Sequence, residues 1–253
     1  MQKTDLLTKY YRIFRIIIHT FTGLIIAAII FPLLQNNAKH NIKPKLIKWW
    51  CGGLLHAFNI QVKVFGDLPA KNIKSVLFVA NHVSWADVHA LNSKILLRFI
   101  AKSDIKSWPI FGYLVSKANT LFIDRSKRQE AGKIVSVTSA SLVAGDNLCF
   151  FPEGTTTDGT HILPFKSSVL QAAIDAKTMV WPVAIRYVNL DGSINTQMAY
   201  AGETTLMESM QAILNVKNPI VELHFLTPIG TNGQNRRDLT QSSLNAIKTK
   251  LGL

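Results

Sequence analysis

SVLFVANHVSWADVHAL, Ser75 to Leu91, joins two patterns in one short stretch. Val76 to Ala80 is a continuous apolar run without alternation, the signature of a strand buried on both faces. Four residues later Ser84-Trp85-Ala86-Asp87 fits the S-x-x-[DE] spacing with which helices begin, placing Ser84 at the N-cap and Asp87 at the third helical position. The stretch reads as strand, turn, helix.

The same alternation recurs on both sides of it. Short β-rich runs QVKVFG, RFIAK, TLFIDR, NLCFFPEG, MVWPVAIRY and IVELHFLTPI are separated by helical windows at roughly 85–97, 109–117, 128–144, 168–176, 204–214 and 239–250. Strands alternating with helices predict an α/β domain with a mixed, largely parallel sheet flanked by helices. No repeat, low-complexity tract or linker divides residues 60–253, which are expected to form one domain. Pro182 interrupts the run MVWPVAIRY and predicts an edge or a bulge there.

In open α/β sheets, sites gather beyond the carboxyl ends of strands. Three of the predicted strands end on chemistry-bearing residues: Asn81-His82, Asp124-Arg125, and Glu153-Gly154-Thr155. On a regular helix His82 and Asp87, five apart, would sit roughly 140° from each other and not meet. They meet only if His82 lies in the turn and Asp87 reaches back from the first helical turn. A capping aspartate beside a satisfied turn histidine explains the pair equally well at this point. As a pair they are a general base and the acid that fixes its tautomer. No G-x-S-x-G elbow is present and neither Cys51 nor Cys149 has a base nearby in sequence, so the group activated is expected to be a substrate hydroxyl. The helix start offers backbone N–H donors to an oxyanion or phosphate. Arg125, followed by Lys127 and Arg128, is a candidate fork for phosphate, or a surface charge cluster. The turn after Phe151 carries Glu153, Gly154 and Thr155, or is only a Thr/Gly turn.

Composition narrows the partners. The formal net charge is +13, from 28 Lys and Arg against 15 Asp and Glu, in a chain that is 48% hydrophobic. An anionic partner follows, and nucleic acid, an anionic membrane leaflet and an acidic carrier protein all qualify. No zinc-finger spacing, RNA-binding aromatic motif or long basic helix supports nucleic acid. The two cysteines fit no metal or redox spacing and read as buried, inert thiols.

Residues 1–59 form a different region. Ile16 to Leu34 is an uncharged apolar run of about the length that spans a bilayer, and residues 44–58 have a helical period with paired Trp49 and Trp50. Together they predict membrane-associated helices, with a buried core helix as the plain alternative. Lysines and arginines flank the run on both sides, so spanning and interface-lying arrangements both stand.

The blocks Asn81-His82-Val83-Ser84-Trp85-Ala86-Asp87, Leu121-Phe122-Ile123-Asp124-Arg125, Phe151-Pro152-Glu153-Gly154-Thr155 and Val180-Trp181-Pro182-Val183 resemble, in order and spacing, the four blocks of the glycerolipid acyltransferases. The likeness is specifically to lysophosphatidic acid (1-acyl-glycerol-3-phosphate) acyltransferases, over roughly residues 60–190. The resemblance implies that His82 is the base and Asp87 its partner. It further implies that Arg125 binds phosphate, that Glu153, Gly154 and Thr155 form the acceptor site, and that Lys102 lies near the acceptor phosphate. It also implies a membrane enzyme, expected at a bacterial inner membrane with its catalytic domain on the cytoplasmic side. Such an enzyme takes acyl-ACP or acyl-CoA as co-substrate and a lysophospholipid as acceptor, with no metal or other cofactor. Asn119 and Ser168 stand where the family usually has glycine, and both bear on the acceptor. Another lyso-lipid, such as a lyso-ornithine lipid, is the alternative acceptor. A non-catalytic protein binding anionic lipid accounts for the charge but not for polar residues at three strand ends.

Overall fold

The computed structural model describes residues 4–34, 42–118, 120–123 and 130–253. The chain opens with helix α1 (Leu6–Ile25), continued by a π-helical turn (Ile26–Ile30) and α2 (Phe31–Leu34), and then α3 (Ile42–Ala57). The α/β part runs β1 (Gln61–Phe65), β2 (Val76–Ala80), α4 (Ala86–Lys94), β3 (Arg98–Lys102), α5 (Phe111–Lys117), β4 (Leu121–Ile123), α6 (Glu130–Val143), β5 (Leu148–Phe150), α7 (Leu170–Asp175), β6 (Met179–Val188), α8 (Leu206–Asn215), β7 (Ile220–Phe225) and α9 (Arg236–Leu251). Every predicted strand and helical window has its counterpart. The first helix starts ten residues before the apolar run that announced it, because Asp5 caps it by accepting from Thr8 N at 2.9 Å.

Seven strands form one sheet in the order β1-β7-β6-β2-β5-β3-β4, with β6 and β7 antiparallel and the other described pairs parallel. β2, β5 and β3 are neighbours, so their carboxyl ends open on the same place. The faces of β2 divide the core. Phe78 and Ala80 join the cluster on the side of α3, α4 and α8, while Leu77 and Val79 join the one backed by α6, α7 and α9. That double burial is why the run shows no alternation.

Pro182 lies inside a central strand, not at an edge. Val183 pairs with Phe225 and Val180 with Ile229. Residues 181–182 therefore face residues 226–228, and the ladder bulges where proline has no N–H to give.

Leu54, Leu55 and Phe58 share the buried cluster of β2 and β6. The boundary expected at 59/60 thus marks a change of element type within one packed body. α1 and α3 interlock at two glycines. A Cβ on Gly23 would fall 2.2 Å from Trp50 Nε1, and one on Gly53 would fall 2.3 Å from His19 Cε1. Two hydrogen bonds tie the same contact, Trp50 Nε1 to His19 O at 3.2 Å and His19 Nε2 with Trp50 O at 2.8 Å. Arg12 is buried and donates to the carbonyls of Val216 at 2.8 Å and Lys217 at 2.6 Å, fastening α1 beyond the end of α8. The outer face of α1 stays open, with Leu7, Tyr10, Phe14, Ile17 and Phe21 all exposed. Leu6–Leu33 is long and apolar enough to cross a membrane.

Candidate active site

The turn after β2 is fixed before its side chains act. Asn81 grips Ile185 of β6 twice, accepting from its N–H at 2.7 Å and donating to its carbonyl at 2.9 Å. His82 N donates to Glu153 Oε1 at 2.7 Å, and His82 O accepts from Thr157 N at 2.9 Å. The main chain of His82 is thus held from both sides by the segment that follows β5.

The imidazole of His82 stacks on Phe151, with ring centroids 3.9 Å apart and planes 10° from parallel. Its Nδ1 lies 2.8 Å from Asp87 Oδ2. Asp87 is fully buried, and four donors converge on it. Oδ2 also accepts from Val83 N at 2.8 Å and Ser84 N at 2.9 Å, while Oδ1 accepts from the Tyr187 hydroxyl at 2.7 Å. A carboxylate is acceptor-only, so it suits that ring of donors. Burial first, then the charge of Asp87, pushes the Tyr187 hydroxyl well above its ordinary value and keeps it a donor.

The expected capping box is half formed. Asp87 reaches back to Ser84 N, but Ser84 Oγ turns to Ala86 N at 3.4 Å, and Asp87 N bonds Ser84 O at 3.0 Å. The N–H groups of Val83, Ser84, Ala86 and Asp87 all have partners within the turn, so of the donors expected at the helix start for an oxyanion or phosphate Trp85 N is the one left.

The other predicted residues fall into three situations. Glu153 is buried, with Oε1 on His82 N and Oε2 on Leu163 N at 2.8 Å, so the structure brings it to backbone behind the base. Burial pushes its carboxyl up, against the pull of those two N–H groups. Gly154 turns the chain at φ +79°, and Thr155 stands exposed on a cavity wall. Lys102, at the end of β3, is exposed on the same rim with its Nζ 3.0 Å from Asp104 Oδ2. Arg125 and Asn119 lie outside the described residues. Ser168, just before α7, does not line the cavity. Sequence reading missed Asn81 and Tyr187 as supports, since both act through β6, about a hundred residues away.

The cavity has a volume of about 390 Å³, and His82, Lys102, Phe151, Thr155 and Tyr200 stand on its walls. With Nδ1 on Asp87, Nε2 is the nitrogen left for a ligand. Inward, Val88, His89, Phe99, Phe111, Val115 and Thr120 also wall a second cavity of about 70 Å³. This inner space is roofed by Ile26, Ala27 and Phe31, and by Trp50 and Cys51 of α3. Burial pushes the Cys51 thiol up to about 12 and Cys149 higher still, so neither is a ready nucleophile. Among the described residues no three His, Cys, Asp or Glu side chains are grouped to hold a metal ion. A base at the mouth of an apolar recess can deprotonate a hydroxyl beside a carbonyl whose alkyl chain lies in the recess.

The profile of the family described as Acyltransferase matches residues 61–186. The lyso-ornithine lipid O-acyltransferase of Pseudomonas aeruginosa is 33% identical, over 83% of this chain and 80% of its own length. The 1-acyl-sn-glycerol-3-phosphate acyltransferase of Neisseria meningitidis serogroup B is 36% identical, over 69% of this chain and 68% of its own. In fold, the crystal structure of the 1-acyl-sn-glycerophosphate (LPA) acyltransferase PlsC from Thermotoga maritima superposes with a TM-score of 0.66 at 19% identity, over 95% of this chain and 96% of that one. The chain belongs to the acyltransferase family that includes the 1-acyl-sn-glycerol-3-phosphate and lyso-ornithine lipid acyltransferases.

Proposed function

We propose that the chain transfers a fatty acyl group from an acyl thioester, acyl-ACP or acyl-CoA, to the sn-2 hydroxyl of 1-acyl-sn-glycerol-3-phosphate, making phosphatidic acid. The observation that carries this reading is His82: one nitrogen on Asp87, the other left for a cavity that continues into an apolar recess. Asp87 keeps the proton on Nδ1, so Nε2 accepts the proton of the acceptor hydroxyl and Asp87 stabilises the imidazolium that forms. The alkoxide oxygen bonds to the thioester carbonyl carbon. The tetrahedral intermediate then collapses, the C–S bond breaks, and the departing thiolate takes the proton back from Nε2. The Thr155 hydroxyl on the cavity wall is the donor we assign to the oxyanion. Glu153 is a positioning residue in this scheme, holding the His82 backbone.

Lys102 at the rim, with Arg125 from the FIDR block, supplies positive charge for the acceptor phosphate. The open apolar face of α1 sits in the membrane, which delivers a lyso-lipid to the recess without leaving the bilayer. The basic surface suits an acidic carrier protein or CoA on the water side.

A second acceptor has its own support. Asp104 accompanies Lys102 on the cavity rim, and a rim carrying both signs matches the zwitterionic head of a lyso-ornithine lipid, the substrate named for the Pseudomonas relative. Purified enzyme given both acceptors and one donor decides by mass spectrometry of the products. Phosphatidic acid in excess, falling on Arg125→Ala, upholds the first reading; acylated ornithine lipid in excess replaces it with the second. His82→Ala retaining near-normal turnover in folded enzyme overturns both.

A further inference from the structure

His89 has no part in the transfer chemistry above, and its surroundings ask for one. It sits on α4 two residues beyond Asp87, is only 8% exposed, and walls both the outer and the inner cavity. Nδ1 is enclosed without a hydrogen-bond partner, and no described residue bonds Nε2. Aromatic edges fix the ring in place, with Trp50 at 5.5 Å and Trp85 at 5.8 Å between centroids, both T-shaped. Burial lowers its pKa to about 4, so the ring is neutral and carries one N–H and one lone pair. Buried polar atoms in proteins are normally satisfied, and of the five unmatched ones among the described residues His89 Nδ1 is the one whose side chain walls both cavities.

The remaining wall residues shared by the two cavities are Val88, Phe99, Phe111, Val115 and Thr120. An unsubstituted alkyl chain crossing this constriction would leave the imidazole as unmatched as it is now. A hydroxyl both donates and accepts, so it suits either tautomer. We propose that His89 selects for a fatty acyl chain that carries a hydroxyl group at the depth of the constriction between the two cavities. The proposal rests on the acyl-transfer reading. The chain in question belongs either to the thioester donor or to the lyso-lipid acceptor, since both carry one.

The test uses full-length purified enzyme and competing substrates of equal chain length. One arm pairs a hydroxyacyl thioester with its unsubstituted counterpart; the other pairs lyso-lipids whose existing chain does or does not carry the hydroxyl, and the hydroxyl position is varied along the chain. The expected result is a preference of about 3- to 10-fold in kcat/KM at one position in one arm. His89→Phe should bring that ratio to about one, and His89→Gln, which keeps a donor and an acceptor, should retain part of it. No preference at any position in either arm overturns the proposal, as does a preference that survives His89→Phe. Absence of transfer with every pair would instead fail the acyl-transfer reading. In that case thermal stabilisation by hydroxylated against plain fatty acid, lost in His89→Phe, still decides for His89, and equal stabilisation decides against it.

Discussion

The mouth of the cavity and its inner recess are built on opposite principles. At the mouth, Asp87 has four donors, both carbonyl and amide of His82 are held, and Glu153 has both oxygens bonded. In the recess the walls are apolar and the one histidine shared with the mouth has an unmatched ring nitrogen. A base must keep one position and one tautomer, which hydrogen bonds enforce; a chain needs only width and depth, which packing supplies.

The comparison breaks most visibly if His82 is not the base. His82→Ala should lower kcat by about 100- to 10,000-fold with unchanged circular dichroism, as loss of general-base catalysis does; steady-state kinetics on the membrane-reconstituted enzyme checks this. At the recess the expected effect is on stability and pH. The ordinary His89 value of 6.5 falls to about 4 in the folded protein. The unfolded chain therefore binds the proton first, so stability is complete above pH 6.5 and is lost as the pH falls toward 4. The full difference corresponds to about 3 kcal/mol, with about 2 kcal/mol lost by pH 5. Urea unfolding at pH 7.5 and pH 5 should show a larger loss in the native protein than in His89→Gln, where burial of His19 and His224, which lowers their values too, leaves a remainder of the same sign. Glu153, whose value is raised, changes stability in the opposite direction with pH and cannot mimic it.

Two smaller effects sharpen the account of the mouth. Glu153→Gln replaces one acceptor oxygen by an amide donor facing a backbone N–H, and should cost about 1–3 kcal/mol in denaturant unfolding while lowering kcat more than KM rises. Tyr187→Phe removes one of the four donors to Asp87 and should cost about 0.5–1.5 kcal/mol, with turnover reduced about tenfold or less. Equal loss from Tyr187→Phe and His82→Ala would mean that the outer support, not the base, limits the reaction.

Much of this was legible in the sequence where the determinants are local. Unalternating runs gave the buried strands, and the spacing from Ser84 to Asp87 placed a helix start that lets residues five apart meet. What the sequence hides is non-local. Tyr187 and Asn81 matter only because β6 lies beside β2, and strand order is set by packing between distant segments. Glu153 was read as facing the acceptor, because a carboxylate beside Gly-Thr serves a ligand or a backbone equally well on paper. In the structure both carboxylate oxygens accept from backbone N–H groups, of His82 and Leu163. His89 looked like any polar residue on a helix; its unmatched nitrogen exists only once Trp50 and Trp85 close around it.

The grip of residues 151–157 on His82 also bears on how such enzymes can be recombined. The stacking of Phe151, the Glu153 acceptor and the Thr157 donor all land on one residue of the β2 turn. The two segments, residues 81–87 and 151–157, are therefore a single cassette despite the 63 residues between them. A chimaera that imports residues 151–157 from a relative with a different acceptor should keep its activity only when residues 81–87 come from the same parent.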